Sequence, residues 1–219
     1  MPKGQNQKLK LSIQCKIMLE RTDEDHYLSL AQIMDAIHTA INANNMISFK
    51  YCYWTVDKEL VAKKQGERYK VSPVALAWAN ENYYMIAYDS KAEKIKHYRV
   101  DKMKEVTVTA DMRAGDRKRY EHFDVSKYTL ENFGMFAGEK KRVHIEFPND
   151  KVGIFIDYFG KDIDLRKVLD DKTEAVVDVA VSPQFFGWIF SLGADIRITS
   201  PSAVIEEMKA YGKKIMSNY

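Results

Sequence analysis

Short strand-like runs separated by tight turns fill the middle of the chain, and they constrain its fold more than any other feature. The runs cover residues 46–54, 69–79, 83–88 and 95–100, followed by Val106 and Val108. Pro73 interrupts the second run, and we expect a bend there because proline cannot donate to a sheet ladder. The polar, basic stretch 57–65 is expected to be a loop. Five short strands in about 65 residues predict a small barrel or a strongly twisted sheet.

The last third of the sequence alternates strands with amphipathic helices. The first two of its three predicted helices, which we call the inner helices, carry apolar side chains at i, i+3, i+4 and i+7, the spacing of one helical face. The predicted strands cover 142–147, 162–169, 175–181 and 195–199. The resulting order, β-α-β-β-α-β-α, matches a ferredoxin-like split βαβ with an added helix. The overall fold class is therefore α+β.

Helix-boundary signals support this assignment. Ser182-Pro183 and Ser200-Pro201 each read as an N-cap followed by proline at the first helical position. Gly160 and Gly193 follow the last apolar residue of the two inner helices, where a glycine commonly ends a helix.

The first 45 residues predict two helices. One covers 8–21, and the other starts at the N-cap Ser29, where Gln32 completes a capping box and the helix runs to about residue 44. Four segments follow from these patterns: N-terminal helices over 1–45, a β-rich domain over 46–121, a linker over 122–141 and an α/β domain over 142–219.

Composition excludes several classes of protein. Hydrophobic residues make up 46% and charged residues 30%, which suits a folded chain with a soluble surface. No apolar run approaches the roughly 20 residues that span a bilayer, and the N-terminus lacks the apolar segment of a secretory signal. Cys15 and Cys52 are too few for a disulfide scaffold. We therefore expect a cytoplasmic protein without contact to a membrane.

Enzymatic constellations are missing from the sequence. It contains no glycine-rich phosphate loop, no HExxH and no GxSxG, and its five histidines are scattered without the spacing of metal ligands. We expect a protein that is not an enzyme and that holds neither a metal nor a cofactor.

One segment does suggest binding. Strand alternation places Ile95, His97 and Arg99 on one face, with Tyr98 and Val100 on the other. A histidine and an arginine side by side offer a place for an anion or a phosphate. The segment 46–121 supports this reading with sixteen basic and eleven acidic residues. An ordinary solvated face explains the same charges and stays open as the alternative.

Three blocks of sequence resemble the WYL domain of bacterial transcriptional regulators. They are Val71-Ser72-Pro73, Tyr83-Tyr84-Met85-Ile86-Ala87-Tyr88 and His97-Tyr98-Arg99-Val100-Asp101-Lys102-Met103, and Tyr83-Tyr84-Met85 stands in the place of the name-giving Trp-Tyr-Leu. The C-terminal part resembles the extension that often follows this domain, through Phe186-Gly187-Trp188, Gly193 and Ile198-Thr199-Ser200-Pro201.

The resemblance implies an Sm-like or SH3-type β-barrel with a ligand-sensing role. Some members of the family are thought to sense single-stranded nucleic acid. The positions that resemble the ligand-binding lining are Ser72, Tyr84, His97, Arg99 and Lys102. Lys102 stands where many members have arginine, so it keeps the charge but lacks the bidentate fork. Tyr98 and Tyr84 are possible stacking platforms for bases.

Members usually begin with a winged helix-turn-helix, of which residues 8–34 resemble only the opening. We therefore expect a truncated module, and we expect duplex DNA as a partner only where a complete helix-turn-helix exists.

Two hypotheses follow from the sequence. The first is the effector-sensing part of a transcriptional regulator, which binds an anionic small molecule or single-stranded nucleic acid. The alternative is a dimerisation or protein-interaction module without a ligand of its own, and a homodimer is expected in either case.

Overall fold

The computed structural model describes residues 30–115, 118–121, 123–136 and 138–219, without the side chains of residues 118 and 119. The predicted helix 8–21, the capping residue Ser29 and most of the truncated helix-turn-helix lie outside the described residues. The chain forms two units, Met1–Phe123 and Asp124–Tyr219. The architecture is mixed α/β, with one antiparallel sheet in each unit.

Besides the single helical turns Lys64–Gly66 and Val100–Lys102, the described part of the first unit consists of one long helix, six strands and a four-residue helix. In chain order these are α1 (Leu30–Asn42), β1 (Asn45–Trp54), β2 (Leu60–Ala62), β3 (Tyr69–Ala79), β4 (Asn82–Asp89), β5 (Lys94–Arg99), β6 (Met103–Met112) and α2 (Lys118–Glu121). The predicted strands are all present, and their boundaries shift by up to about three residues. The prediction that 57–65 is entirely loop is wrong, because this stretch contains the short strand β2, which pairs with β1.

The sheet of the first unit is curled. Its strand order is β2-β1-β3-β4-β5, and β6 also pairs with β1. Although β1 and β5 are separated by two strands in this order, the backbone N–H of Arg99 in β5 donates to the Tyr51 hydroxyl in β1, 3.1 Å away. A flat sheet would hold those strands roughly 14 Å apart. The expected bend in β3 is also present, as a bulge between Pro73 and Ala75.

The core of this unit lies between α1 and the concave side of the sheet. Ile33 and Ile37 lie four residues apart on one face of α1, and both are buried. They join a cluster that includes Phe49, Met85 and Tyr98. Residues 84 and 86 point the other way from residues 85 and 87, so β4 has one face toward this cluster and a second face on which Ile86 is also fully buried.

The chain enters and leaves this sheet at one point. Arg113, just after β6, donates through Nε to the side-chain oxygen of Asn44 at 2.8 Å and through Nη1 to the carbonyl of Pro73 at 2.9 Å. Its backbone N–H donates to the carbonyl of Asn44 at 2.9 Å. We call this set of bonds the Arg113 clasp.

The second unit follows the predicted strand-helix-strand-strand-helix-strand-helix order. After α3 (Val125–Glu131), its elements are β7 (Glu139–Pro148), α4 (Val152–Phe159), β8 (Asp164–Leu169), β9 (Lys172–Val181), α5 (Pro183–Ser191), β10 (Arg197–Ser200) and α6 (Ser202–Met216). The strand order is β10-β7-β9-β8, and all three pairings are antiparallel. The helix α3 and Phe133, which is buried in the core of this unit, fall in the stretch 122–141 that the sequence suggested as a linker.

The core of the second unit is rich in stacked aromatic rings. Phe147 of β7 and Phe155 of α4 are fully buried, and their ring centroids lie 3.8 Å apart. The apolar stripe of α5 supplies Phe185 and Ile189 to the same cluster. These rings belong to the packing of the fold, as the helical spacing predicted.

The two predicted serine caps have different outcomes. Ser182 does cap α5: its hydroxyl accepts from the backbone N–H of Phe185, and Pro183 opens the helix. Ser200 does not cap α6, because it is the last residue of β10 and the helix begins at Ser202 without a side-chain cap. None of the helices in the described part of the chain is long and apolar enough to cross a membrane.

Candidate functional site

Three neighbouring strands of the first unit place most of the predicted site residues on one face. The register aligns Ser72, Tyr88 and Ile95 in a first row, Ala75, Ile86 and His97 in a second, and Ala77, Tyr84 and Arg99 in a third. We call this side of β3, β4 and β5 the Arg99 face. The sequence prediction that Ile95, His97 and Arg99 share a face is confirmed, since Tyr98 and Val100 are buried in the core.

Arg99 ends β5 directly opposite Tyr84 of β4. Its side chain is about one-third exposed. Its Nε donates to one Asp101 carboxylate oxygen at 3.1 Å, and its Nη2 donates to the other at 2.7 Å. This hydrogen bonding raises the pKa of Arg99 above its already high ordinary value, so the guanidinium stays charged at every physiological pH.

Tyr84 supplies a half-buried phenol beside this guanidinium. Burial raises the pKa of Tyr84, while the nearby charge of Arg99 opposes the shift. The phenol therefore stays protonated near neutral pH and keeps an O–H donor next to a cation. A guanidinium and a phenol side by side can bind an oxyanion and contact a ring.

Tyr51 belongs to the site although the sequence did not suggest it. Its hydroxyl accepts from the backbone N–H of Arg99, and its ring packs 5.3 Å from that of Tyr98. Burial raises the pKa of Tyr51, and the hydrogen bond from Arg99 opposes the shift. Lys63 lies 5.5 Å from the centroid of the same ring. The backbone of Arg99 in β5 and the side chain of Lys63 in the loop after β2 therefore both approach Tyr51.

Two other predicted residues, His97 and Lys102, lie near Arg99 and Tyr84. His97 is half-buried, two residues before Arg99 on the same strand face, and faces Ile86 across the strand pair. Lys102 is half-buried and ends the single helical turn Val100–Lys102 that follows β5. The structure thus places Tyr84, His97, Arg99 and Lys102 in one region of the first unit.

Ser72 lies at the opposite corner of the Arg99 face. It is fully buried, and its hydroxyl accepts from the backbone N–H of Ala114 at 2.8 Å. Four residues along the strands and two strand spacings separate it from Arg99, roughly 16 Å. The chain around Gly115 packs against the Tyr88 ring at this end of the face. A small ligand held by Arg99 therefore does not reach Ser72.

The interpretation of Tyr98 as a stacking platform for bases is wrong. Its side chain is only 3% exposed and packs edge-on against Phe49 and Tyr51. A base cannot stack on a ring that other side chains cover almost completely, so Tyr98 is not a stacking platform. Burial raises the pKa of its hydroxyl, which has no hydrogen-bond partner among the described residues.

Side chains of the types that bind metals are not clustered in the part of the chain that the structure describes. The described residues contain no group of three or more histidine, cysteine, aspartate or glutamate side chains that could hold a metal ion. Cys52 is 1% exposed on β1, and burial raises the pKa of its thiol.

Comparisons with known proteins place both units in families. Residues 32–108 match the WYL domain, and residues 139–216 match the WCX domain. The first unit contains a WYL domain. The Arg99 face lies within this WYL domain. No curated protein matches the chain.

Two solved structures are similar to the chain at low sequence identity, and only the first reaches a TM-score of 0.50. The WYL-domain chain is 15% identical to a CRISPR Cas-related protein, with a TM-score of 0.50 over 87% of this chain and 52% of the other. It is 18% identical to proteasome accessory factor B/C (PafBC) of Arthrobacter aurescens, with a TM-score of 0.36 over 90% of this chain and 29% of the other. The chain thus spans about half or less of the length of these two structures.

Proposed function

We propose that this chain is the effector-sensing part of a transcriptional regulator, without enzymatic activity, acting in the cytoplasm. It binds an anionic small molecule or single-stranded nucleic acid on the Arg99 face of its WYL domain. The observation that carries this proposal is the pairing of Arg99 with Tyr84 on neighbouring strands, with His97 and Lys102 nearby. Duplex DNA is a partner only where a complete helix-turn-helix is attached.

The proposal assigns the first unit to the Sm-like or SH3-type barrels and the second to the ferredoxin-like folds. The hydrogen bond between Tyr51 and Arg99, which joins β1 to β5 across the curled sheet, supports the first assignment. The strand order β10-β7-β9-β8 and its element order support the second.

Arg99→Ala tests the binding site directly. Fluorescence anisotropy would measure binding of a short labelled oligothymidylate and, by competition, of a panel of mononucleotides. Because a hydrogen bond to a charged group contributes about 1.5–3 kcal/mol, we expect the variant to lose about tenfold or more in affinity. Wild-type binding should also weaken as salt is raised.

Arg166→Ala is the matched control. Arg166 lies on β8 and pairs with Asp164 two residues away, with Nε–Oδ1 at 3.3 Å and Nη2–Oδ2 at 2.7 Å. It therefore has the same local ion pair as Arg99 but lies in the other unit. Equal binding by the wild type and Arg99→Ala, across the whole panel, would show that the site assignment is wrong.

A second candidate function is dimerisation. The strand β8 is at one edge of its sheet, where unpaired backbone groups can pair with another chain. It exposes Val168 and Leu169, which are 46% and 56% exposed. Sedimentation velocity at two protein concentrations tests this proposal, and a strict monomer at both would exclude it.

A further inference from the structure

The Arg99–Asp101 ion pair has a geometry that restricts what Arg99 can bind. A guanidinium has five N–H groups, and these form a side-on pair at Nε and Nη2 and an end-on pair at Nη1 and Nη2. Asp101 takes the side-on pair, with distances of 3.1 and 2.7 Å. Two N–H groups of Nη1 and one of Nη2 remain, and they make no hydrogen bond to the described residues.

The same ion pair also changes the charge of the site. The carboxylate of Asp101 compensates the charge of Arg99, although it leaves the end-on N–H groups available. An incoming anion therefore meets a hydrogen-bonding fork with little net charge. Recognition then depends on the arrangement of the ligand's oxygen atoms more than on long-range attraction.

We propose that Asp101 is a positioning residue that orients the end-on fork of Arg99 toward a ligand group with two acceptor oxygens, such as a phosphate. This inference rests on the proposed function and specifies the chemistry of the same site. Asp101 itself does not touch the ligand; it fixes the guanidinium plane beside Tyr84.

Arg99→Lys tests the fork, because lysine keeps the positive charge but cannot donate two parallel hydrogen bonds. With the labelled oligothymidylate as probe, we expect this variant to lose most of the affinity that Arg99→Ala loses, about tenfold or more. An Arg99→Lys variant that binds as tightly as the wild type would overturn the inference and leave the proposed function intact. If Arg99→Ala itself has no effect, the proposed function fails first.

Asp101→Asn tests the charge compensation, and its readout is the slope of log affinity against log salt concentration. Asparagine keeps the shape but releases one uncompensated positive charge. We expect the slope to become steeper by about 0.7 to 1, the contribution of one contact between a cation and a phosphate. Asp164→Asn releases Arg166 from an equivalent pair in the second unit and should leave the slope unchanged.

The double variant Arg99→Ala/Asp101→Asn separates action through Arg99 from a general charge effect. If Asp101 acts through Arg99, the added substitution should not steepen the slope once Arg99 is gone. A slope that steepens equally in both backgrounds, or that does not change in Asp101→Asn alone, would contradict the positioning role. Circular dichroism of each variant confirms that the fold is retained.

Discussion

The hydroxyl of Tyr51 accepts a hydrogen bond from the backbone N–H of Arg99, 48 residues later in the chain. This bond joins the middle of β1 to the last residue of β5. Tyr51 therefore has two roles, since its ring packs in the core and its hydroxyl holds the strand end from which the Arg99 side chain projects. The stability of the curled sheet and the geometry of the candidate site depend on the same phenol.

Replacing Tyr51 with phenylalanine should lower stability by about 0.5–1.5 kcal/mol, because the Arg99 N–H loses its acceptor. Urea denaturation followed by circular dichroism measures this loss. Tyr53→Phe is the control, since Tyr53 lies two residues later on the same strand and is 44% exposed. Equal stability of the two variants would contradict a structural role for the Tyr51 hydroxyl.

Tyr98→Phe should not lower the stability of the protein, in contrast to the replacement of Tyr51 by phenylalanine. The Tyr98 hydroxyl is buried without a hydrogen-bond partner among the described residues. Removing it relieves the cost of burying an unpaired polar group, so we expect equal or higher stability, by up to about 1–3 kcal/mol. The same urea titration tests this, and a clear loss of stability would mean that the hydroxyl does have a partner.

Ser72→Ala distinguishes a structural serine from a ligand-binding one. The substitution removes the acceptor of the partly buried Ala114 N–H, so we expect stability to fall by about 0.5–1.5 kcal/mol. Because Ser72 and Arg99 lie far apart on their shared face, affinity for the labelled oligothymidylate should stay the same. If affinity falls while stability holds, Ser72 contacts the ligand, as the family resemblance implied.

Asp89 should contribute to stability only above acidic pH. Burial raises the pKa of Asp89, but hydrogen bonds from Lys96 and from the backbone N–H groups of Ala92 and Lys91 outweigh it, and the pKa lies below its ordinary value of 3.8. A carboxyl with a lowered pKa in the folded state stabilises the fold above its unfolded pKa, and this contribution is lost as pH falls through the folded value.

The corresponding experiment is urea unfolding of Asp89→Asn at several pH values. The variant should be less stable than the wild type at neutral pH, and the difference should shrink below about pH 4. Asp57→Asn, at an exposed position, serves as the control. A difference that is the same at neutral and acidic pH would show that the charge of Asp89 is not responsible.

Phe155→Ala should strongly destabilise the second unit. Phe155 is fully buried and stacks on Phe147, and deleting such a ring costs about 3–5 kcal/mol. Thermal unfolding would detect the loss. Phe190→Ala, on α5 and 47% exposed, should change the midpoint far less, and similar losses in both variants would argue against this core.

Local patterns in the sequence predicted the elements whose signals are local. The i, i+3, i+4 spacing predicted α4 and α5, and strand alternation predicted that His97 and Arg99 share a face. Ser182 and Pro183 predicted the start of α5 correctly. The cap at Ser200 failed because that residue still pairs with His144 in the sheet, which delays the helix to Ser202.

Features that depend on contacts between distant residues could not be predicted in this way. The strand β2 is three residues long and gains its conformation from pairing with β1. Tyr51 joins the site only because the sheet curls, and Lys63 only because its loop returns over the Tyr51 ring. Asp101 lies in the block of residues 97–103 that resembles the WYL domain, but only the geometry of its side chain indicates a role in holding Arg99.

The Arg113 clasp has a mechanical consequence. Asn44 precedes β1 and Arg113 follows β6, so the clasp fastens together the two places where the backbone joins the first sheet. A pulling force applied at Asn44 and Arg113 would load these few bonds before it reached the strand ladders between them. Breaking the clasp would then be the first step in separating β1 from β6 under force.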